Sequence, residues 1–417
     1  MKLNIENFAK IKNANIDFDG ITVIAGENDT GKSTVGKVLF SVFTSFKCLD
    51  ERVNNEVVAS LAKELFAMTD ITNFSELKKL ENLSKKLINL EKYDYQNIFD
   101  CLREASIINK KTINGEKIDS LLQIINFNRN RLENLIISRI FSDEFRKQYH
   151  YLLSTEQPIK ISLVVHHETF KLEIYQNNFI SEKPFELNKN CVLIDDPFIL
   201  DRLNFRNYNN SFLNRFLDSD DSNDHFSYLL KVLSSNKKSG SLIEQDILDN
   251  RIRKYLKLIK KEVKGDFILK NEKLMFHVDQ DFDLELPNLS TGIKSFAILL
   301  KLLEDNEIQE KSMIILDEPE VHLHPKWQIL YAELLVLLQK EFDLNILITT
   351  HSPYFLNAIQ VFSKKHDISE KCNYYNSYLD DNEKACFENV NSNLDIIYKK
   401  LAEPFNDLQY IEENIDE

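Results

Sequence analysis

The sequence predicts an α/β protein in which a phosphate-binding core is interrupted by a large inserted helical and mixed α/β region. The stretch GENDTGKST, residues 26–34, has the glycine spacing of a phosphate loop. From residue 267 to about 359, strand-like and helical patterns alternate, as in α/β domains. Between these two parts, the patterning is first helical, over residues 50–151, and then strand-like, over residues 159–194.

The first predicted element is a strand pair. Residues 3–18 alternate apolar and polar side chains, and Asp19-Gly20 is a turn signal before the apolar run 21–25. Together they predict a hairpin or small sheet that leads into the phosphate loop. Residues 35–46 have helical spacing, so we expect a helix directly after the loop, with its N-terminus facing the phosphates.

The changes of pattern divide the chain into five expected regions. Residues 1–48 form the first part of the core, and residues 49–155 form an inserted helical region whose apolar stripe is too short for a coiled-coil arm. Residues 156–266 hold strands, an acidic loop and a basic helix, and are a candidate partner or lid region. Residues 267–360 complete the core, and residues 361–417 are expected to be an extension with an acidic tail.

Composition limits the classes of function. The chain has 417 residues, 43% hydrophobic and 28% charged, as in ordinary globular proteins. Its net charge of -14 and pI near 5.3 argue against broad attraction to nucleic acid or anionic membranes. The five cysteines lack metal-ligand spacing, and no apolar run approaches the roughly 20 residues of a membrane span. A cytoplasmic protein without a membrane partner is expected.

The phosphate loop predicts the nucleotide contacts. Gly26 and Gly31 let the backbone curl so that several N–H groups point at one phosphate chain. Lys32 would reach the β and γ phosphates, and the Ser33 hydroxyl would bind Mg²⁺. The residues predicted to bind ATP here are Gly26, Glu27, Asn28, Asp29, Thr30, Gly31, Lys32, Ser33 and Thr34.

Two later apolar runs end in polar side chains. Residues 313–316 precede Asp317 and Glu318, which are costly at a strand end unless they meet a metal ion or a bound water. Asp317 suits the magnesium shell, and Glu318 suits the base that activates water. The run LNILITTHS places His351 at another strand end, where it is a candidate γ-phosphate sensor. The alternative for Asp317 and Glu318 is a strand that simply ends at the surface, and the alternative for His351 is an ordinary satisfied or exposed side chain.

A fourth motif, LSTGIKS, spans residues 289–295 before an apolar helical run. The Ser290 hydroxyl and the Gly292 N–H would lie at a helix start, where an anion binds favourably. An ordinary serine N-cap has the same pattern. The order of the motifs favours the anion site, because LSTGIKS stands between the phosphate loop and the Asp-Glu pair.

The set GENDTGKST, LSTGIKS, IILDEPEVHLHP and ITTHSP resembles the ABC-type ATPases outside transporters. Within them it is similar to bacterial AAA family proteins related to the ATPase portion of OLD (overcoming lysogenisation defect) nucleases, and to the ATPase subunits of Septu- and PARIS-type anti-phage systems. The resemblance covers residues 1–40 and 284–356. It implies an ABC-type P-loop ATPase fold with ATP and Mg²⁺ as cofactors.

The resemblance also implies residue roles. Residues 26–34 correspond to Walker A and residues 289–293 to the ABC signature. Asp317 corresponds to the Walker B aspartate, Glu318 to the catalytic glutamate and His351 to the switch histidine. Residues 321–325 resemble the D-loop region, whereas no glutamine matches the Q-loop.

In this family the signature of one subunit closes over the ATP held by Walker A of another. The resemblance therefore implies a homodimer, or a higher even-numbered oligomer, with ATP at the interface, which acts as a nucleotide-gated switch. Thr291 and Ile293 depart from the usual signature, and Asp29 replaces a glycine common in related phosphate loops. ATP binding is still expected, whereas the rate of hydrolysis stays open.

OLD proteins carry a Toprim nuclease domain after the ATPase, and the 66 residues after His351 are too few for one. No nuclease site is visible in the remaining acidic pairs, so a separate nuclease or toxin protein is the expected partner. Residues 251–264 form a basic helical pattern that suits a solvated face, nucleic acid or an acidic partner. The expected function is the ATPase and sensor subunit of an anti-phage complex. The alternatives are a repair or recombination ATPase that clamps DNA, and an ATP-dependent scaffold with little turnover.

Overall fold

The computed structural model describes most of the chain as two compact units. The described residues are 1–69, 76–149, 157–182, 187, 189–203, 223–234, 265–270, 273–278 and 282–413. One unit contains residues 1–47, 140–206 and 223–417, and the other contains residues 48–139 and 207–222. The predicted basic helix, 251–264, lies outside the described residues.

The first unit is built on an eleven-stranded sheet. Its strands are β1 (Lys2–Phe8), β2 (Ile11–Asp17), β3 (Ile21–Gly26), β4 (Ile159–Val165), β5 (Glu168–Tyr175), β6 (Asn178–Glu182), β7 (Cys191–Ile194), β11 (Met313–Asp317), β12 (Asn345–Thr350), β13 (Cys372–Leu379) and β14 (Ala385–Asn389). Their order is β6-β5-β4-β1-β2-β14-β13-β3-β12-β11-β7. A separate antiparallel sheet contains β8 (Gly265–Lys270), β9 (Lys273–Val278) and β10 (Phe282–Glu285).

The large sheet has an antiparallel part and a parallel part. Strands β6, β5, β4, β1 and β2 pair antiparallel. Residues 3–18 thus fold as a hairpin of their own, which turns at Ala9-Lys10, whereas β3, after the predicted turn at Asp19-Gly20, pairs with β12 and β13 and not with β2. Strands β13, β3, β12, β11 and β7 run parallel to one another. Strands β3 and β7 are buried along their whole length, as expected for parallel strands covered on both faces. The carboxyl ends of these five strands consequently meet at one edge of the sheet.

The described helices of the first unit flank its strands. They are α1 (Lys32–Phe46), α7 (His225–Ser234), α8 (Thr291–Glu304), α9 (Pro325–Phe342), α10 (Pro353–Lys365) and α11 (Asp395–Glu413), with short 3₁₀ turns at Pro197–Arg202, Leu286–Asn288 and Ser369–Lys371. Helix α1 begins at Lys32, three residues before the predicted start, because Gly31 takes a left-handed conformation with φ of 76°. The last turn of the phosphate loop therefore leads directly into the helix.

The second unit is helical, in line with the pattern of residues 49–155. It holds α2 (Leu49–Phe66), α3 (Leu77–Ile88), α4 (Tyr95–Glu104), α5 (Gly115–Ile125) and most of α6 (Arg129–Phe145), which continues into the first unit. Its core includes Leu80 and Leu87 from the predicted apolar stripe, both fully buried. No helix among the described residues is long and apolar enough to cross a membrane.

Two regions that the sequence analysis separates from the core contribute strands to the large sheet. Residues 361–417 were expected to form an extension, yet β13 and β14 lie inside the large sheet, where β13 pairs with the phosphate-loop strand β3. From residues 156–266, strands β4 to β7 join the same sheet. Long-range pairing of this kind leaves no local pattern in the sequence. A partner or lid role for residues 156–266 stays a prediction.

Candidate functional site

The phosphate loop connects the buried strand β3 to helix α1. Gly26 has a φ of 153°, and a Cβ there would lie 2.3 Å from both the carbonyl oxygen and the Oγ of Ser377. Asp29 has a φ of 61°, a conformation that aspartate tolerates better than most residues. Its carboxylate accepts a hydrogen bond of 2.5 Å from the Lys10 ammonium. The loop therefore has the curled backbone that phosphate binding needs, although Asp29 replaces a glycine.

Lys32 points back into the loop. Its Nζ donates hydrogen bonds to the carbonyl oxygens of Gly26, at 3.1 Å, and Glu27, at 2.6 Å. Burial lowers the pKa of Lys32 to about 8, against the opposing effect of the Glu318 and Asp317 carboxylates. A buried ammonium that is held at the loop carbonyl oxygens is placed to bind an anionic phosphate chain.

Two hydroxyls of the first unit support the loop from behind. Thr30 Oγ1 donates to the Glu27 carbonyl oxygen at 2.7 Å and lies 2.7 Å from Ser377 Oγ, with which it shares a hydrogen bond. Ser377 Oγ also lies 3.3 Å from the Ala25 carbonyl oxygen. Sequence reasoning missed Ser377, because only the pairing of β13 with β3 brings it to the loop.

Asp317 ends strand β11 beside the start of α1. The hydroxyls of Thr349 and Ser33 donate to its carboxylate, Thr349 at 2.5 Å. Burial raises the pKa of Asp317, and the nearby charges of Glu318 and Asp195 act in the same direction. A buried carboxylate beside a serine hydroxyl is an oxygen donor set that fits Mg²⁺.

Only two protein side chains are expected to bind the magnesium ion. Ser33 and Asp317 would hold the ion, with phosphate oxygens and water as its other ligands. Accordingly, no group of three or more His, Cys, Asp or Glu side chains that could hold a metal occurs in the part of the chain that the structure describes.

Glu318 and His351 face each other across strands β11 and β12. Glu318 has a φ of 49°, and its N–H donates to the Thr349 carbonyl oxygen at 3.1 Å. His351 Nε2 lies 2.9 Å from Glu318 Oε1, within hydrogen-bond distance but without hydrogen-bond alignment. Burial and the Lys32 charge lower the pKa of His351, so its ring is neutral at pH 7. A carboxylate and a neutral imidazole this close can orient one water molecule.

Glu320 anchors the turn that carries His351. Its carboxylate is buried, and Oε1 accepts hydrogen bonds from Thr350 Oγ1 at 2.5 Å, His351 N at 2.9 Å and Ser352 N at 3.2 Å. Sequence reasoning did not single it out, although the third acid of the DEPE stretch was a usable signal.

A cavity of about 250 Å³ lies at the carboxyl ends of the strands. Ser33, Asp317 and Glu318 line it, together with Asp195 from the end of strand β7. Asp195 was also missed, although CVLIDD has the same pattern as MIILDE, an apolar strand that ends in two acids. The cavity thus holds three carboxylates and the predicted magnesium-binding hydroxyl.

The signature residues line a different cavity. Ser290 is the exposed N-cap residue of α8 and its side chain makes no capping hydrogen bond, which disfavours the ordinary N-cap interpretation. Gly292 is buried, and a Cβ there would lie 2.6 Å from the Trp327 ring. These residues line a cavity of about 400 Å³ with His322 and His324. Of these residues, only His322 also lines the cavity that contains Ser33 and Asp317.

Asp380 and His277, which line neither cavity, have ordinary partners. Asp380 accepts hydrogen bonds from Lys12 and from backbone amides of the β13–β14 turn. His277 pairs with Asp283 at 2.9 Å, and His166 lies in the turn between β4 and β5. Asp279 and Asp281 lie outside the described residues.

A phosphate loop, an Asp-Glu pair and a histidine at the ends of adjacent parallel strands define an ABC-type P-loop ATPase. The sequence pattern of one protein family, described as "AAA domain, putative AbiEii toxin, Type IV TA system", matches residues 21–357. Since this is more than half of the chain, the protein belongs to that family. The fold and the ATPase class expected from the sequence are confirmed.

Several curated proteins are similar in sequence. The Septu protein PtuA of Bacillus thuringiensis is 26% identical over 205 residues, covering 45% of this chain and 46% of PtuA. Endonuclease GajA of Bacillus cereus is 23% identical over 410 residues, covering 85% of this chain and 55% of GajA. The retron Vc95 probable ATPase of Vibrio cholerae is 25% identical over 178 residues, covering 35% and 34%. The chain thus spans about half the length of these relatives, or less.

Solved structures show a more distant likeness. The SMC head domain from Thermotoga maritima has a TM-score of 0.40 and 12% identity, covering 93% of this chain and 98% of that one. An SMC head bound to the C-winged helix domain of ScpA has a TM-score of 0.44 and 11% identity, covering 94% and 98%.

Proposed function

We propose that the chain is a nucleotide-gated switch: the ATPase and sensor subunit of a bacterial anti-phage complex that controls a separate nuclease or toxin. The observation that carries the ATPase part is the meeting of Lys32, Asp317, Glu318 and His351 at one edge of the parallel sheet. The defence part rests on the similarity to a Septu protein and to a retron ATPase.

The residues divide the work of hydrolysis. Lys32 and the loop amides bind the phosphates, and Ser33 with Asp317 holds Mg²⁺, which neutralises charge on the phosphate oxygens when bound. Glu318 accepts the proton of the attacking water. His351, neutral at pH 7, orients that water together with the terminal phosphate. Glu320 fixes the turn that carries His351, so the His351 ring stays 2.9 Å from the Glu318 carboxylate.

A second copy supplies the rest of the site in this proposal. Ser290 is exposed and Gly292 has its N–H at the start of α8, so the pair offers an anion-binding site in a cavity other than the one that Ser33 and Asp317 line. Two copies would then enclose ATP between the loop of one and the signature of the other. The expected assembly is a homodimer or a higher even-numbered oligomer.

The Glu318→Gln variant tests the switch. It keeps the size of the side chain and removes the base, so nucleotide should stay bound through gel filtration and the assembly should increase in mass with ATP and Mg²⁺. Lys32→Ala is the matched control and should show neither effect, because the phosphate contact is lost. A Glu318→Gln protein that releases nucleotide and keeps its mass as wild type does would refute the switch.

The separate effector needs its own test, since GajA is an endonuclease and is similar over most of this chain. The purified chain, incubated with plasmid DNA and Mg²⁺ or Mn²⁺, is expected to leave the DNA intact with and without ATP. Cleavage that persists in independent preparations and disappears in an active-site variant would place the nuclease in this chain. That result would exclude the proposal of a separate nuclease partner, and it would leave the proposal of ATP hydrolysis unaffected.

A further inference from the structure

Asp195 shares the edge of the sheet with the predicted magnesium site. Strand β7 pairs in parallel with β11, with Ile194 opposite Leu316, so Asp195 and Asp317 follow at the same level. Both carboxylates line the 250 Å³ cavity with Ser33. Asp195 is therefore part of the cavity wall.

A histidine clasp fixes the orientation of Asp195. His225 Nε2 lies 2.7 Å from Asp195 Oδ2, and Nδ1 lies 2.7 Å from Glu144 Oε1. The backbone N–H of His225 donates to Glu144 Oε2 at 2.8 Å. The Glu144 side chain is fully buried, and Lys37 Nζ lies 3.8 Å from it. Because both ring nitrogens are engaged, the imidazole cannot turn without losing a contact.

The clasp leaves Asp195 accessible to the cavity. Its side chain keeps 29% of its exposure, compared with 9% for His225. Three carboxylates therefore line one small cavity, and a divalent cation there would stabilise them beyond the compensation that Lys32 and His225 supply. Magnesium retains several waters when one or two carboxylates hold it. A carboxylate beside the direct ligands is placed to accept hydrogen bonds from those waters.

We propose that Asp195 is a further magnesium-positioning residue of the ATP site, and that His225 and Glu144 hold its carboxylate toward the waters of the ion. The inference rests on the proposed function, because it requires that ATP and Mg²⁺ bind at Ser33 and Asp317. It adds a residue from strand β7 that the motifs of the phosphate loop and the Asp-Glu pair do not contain.

Magnesium-dependent binding of a fluorescent ATP analogue tests the proposal without depending on hydrolysis. In Asp195→Asn, the Mg²⁺ concentration for half-maximal binding should rise about tenfold or more, the usual cost of losing a partner of a metal shell. Binding in EDTA should be unchanged or slightly tighter, because a negative charge is removed. A purely structural role would weaken binding to the same extent with and without Mg²⁺.

Asp196→Asn is the matched control. It removes the same charge one residue away, where Asp196 Oδ1 accepts the Phe198 N–H at 2.8 Å and does not line the cavity. Its Mg²⁺ dependence should stay within about twofold of wild type. An equal shift in Asp195→Asn and Asp196→Asn, or no shift in Asp195→Asn, overturns the proposal.

Two further variants keep the test decisive if Asp195→Asn fails to fold. Asp195→Glu keeps the charge and should show a smaller rise in the Mg²⁺ requirement. His225→Gln releases Asp195 and should also raise the Mg²⁺ concentration for half-maximal binding. A His225→Gln protein with the wild-type Mg²⁺ requirement overturns the inference. If Asp317→Asn weakens Mg²⁺-dependent binding and the Asp195 variants do not, only this inference fails. If the wild-type chain binds no ATP analogue at all, the proposed function fails with it.

Discussion

The contacts of His225 with Asp195 and Glu144 predict how much this residue contributes to the free energy of unfolding. His225 is buried, and although burial opposes its charge, the hydrogen bonds to Asp195 and Glu144 raise its pKa to about 9. Relative to an ordinary value of 6.5, this corresponds to about 3 kcal/mol of folding free energy. Replacing His225 by Gln removes the cation and leaves the fully buried Glu144 carboxylate poorly compensated.

The sign of the pH dependence follows from the raised pKa. The contribution is fully present below pH 6.5, where His225 is charged in both the folded and unfolded states. It falls as pH rises from 6.5 to 9, because the unfolded chain has then released the proton that the folded protein still binds, and it is lost once the folded protein releases the proton as well. We therefore expect His225→Gln to be about 3 kcal/mol less stable than wild type at pH 6, with a smaller difference at pH 9.5.

Urea unfolding followed by tryptophan fluorescence measures this difference. Trp327 is the single tryptophan of the chain and lies in the first unit, as His225 does. His277→Gln is the matched control, because the His277 side chain is 38% exposed and its pair with Asp283 should contribute less than about 1 kcal/mol. A His225→Gln defect that is constant with pH, or larger at pH 9.5 than at pH 6, would refute the reasoning.

Two further variants address the loop and the histidine turn. Gly26→Ala should lower the free energy of unfolding by about 1–3 kcal/mol and weaken binding of the ATP analogue, because its Cβ would lie 2.3 Å from the Ser377 carbonyl oxygen. Unchanged affinity and stability would contradict this prediction. Glu320→Ala removes the acceptor of three donors on the turn that carries His351, so hydrolysis should fall more than ATP affinity. Glu320→Gln keeps an acceptor oxygen, so its hydrolysis rate should be closer to that of wild type. Equal losses of hydrolysis in Glu320→Ala and Glu320→Gln would exclude the anchoring of this turn as the cause.

Local motifs predicted the parts of the site that depend on neighbouring residues. The glycine spacing around Lys32 predicted the phosphate loop, and the apolar run before Asp317 predicted its strand. The position of His351 at a strand end likewise matched the fold. These features are encoded within about ten residues, where backbone geometry and burial leave a direct pattern.

Other parts depend on contacts that are distant in sequence. Ser377 reaches the loop only because β13 pairs with β3, and its strand has a polar, aromatic sequence that gives no core signal. Glu144 meets His225 across 81 residues, and neither belongs to a recognisable motif. Asp195 did have a local signal, the two acids after CVLI, yet its partner strand β11 was needed to show what it faces.

We expect each ATP site to be completed by a second copy of the chain. Mixing two variants tests it most directly. Lys32→Ala cannot hold the phosphates, and Ser290→Arg blocks an exposed signature residue while leaving its own phosphate loop intact. Each should be inactive alone. An equal mixture should regain about a quarter of the wild-type ATPase rate, because half of the random dimers contain one intact site. A mixture no more active than the separate variants would contradict the composite site.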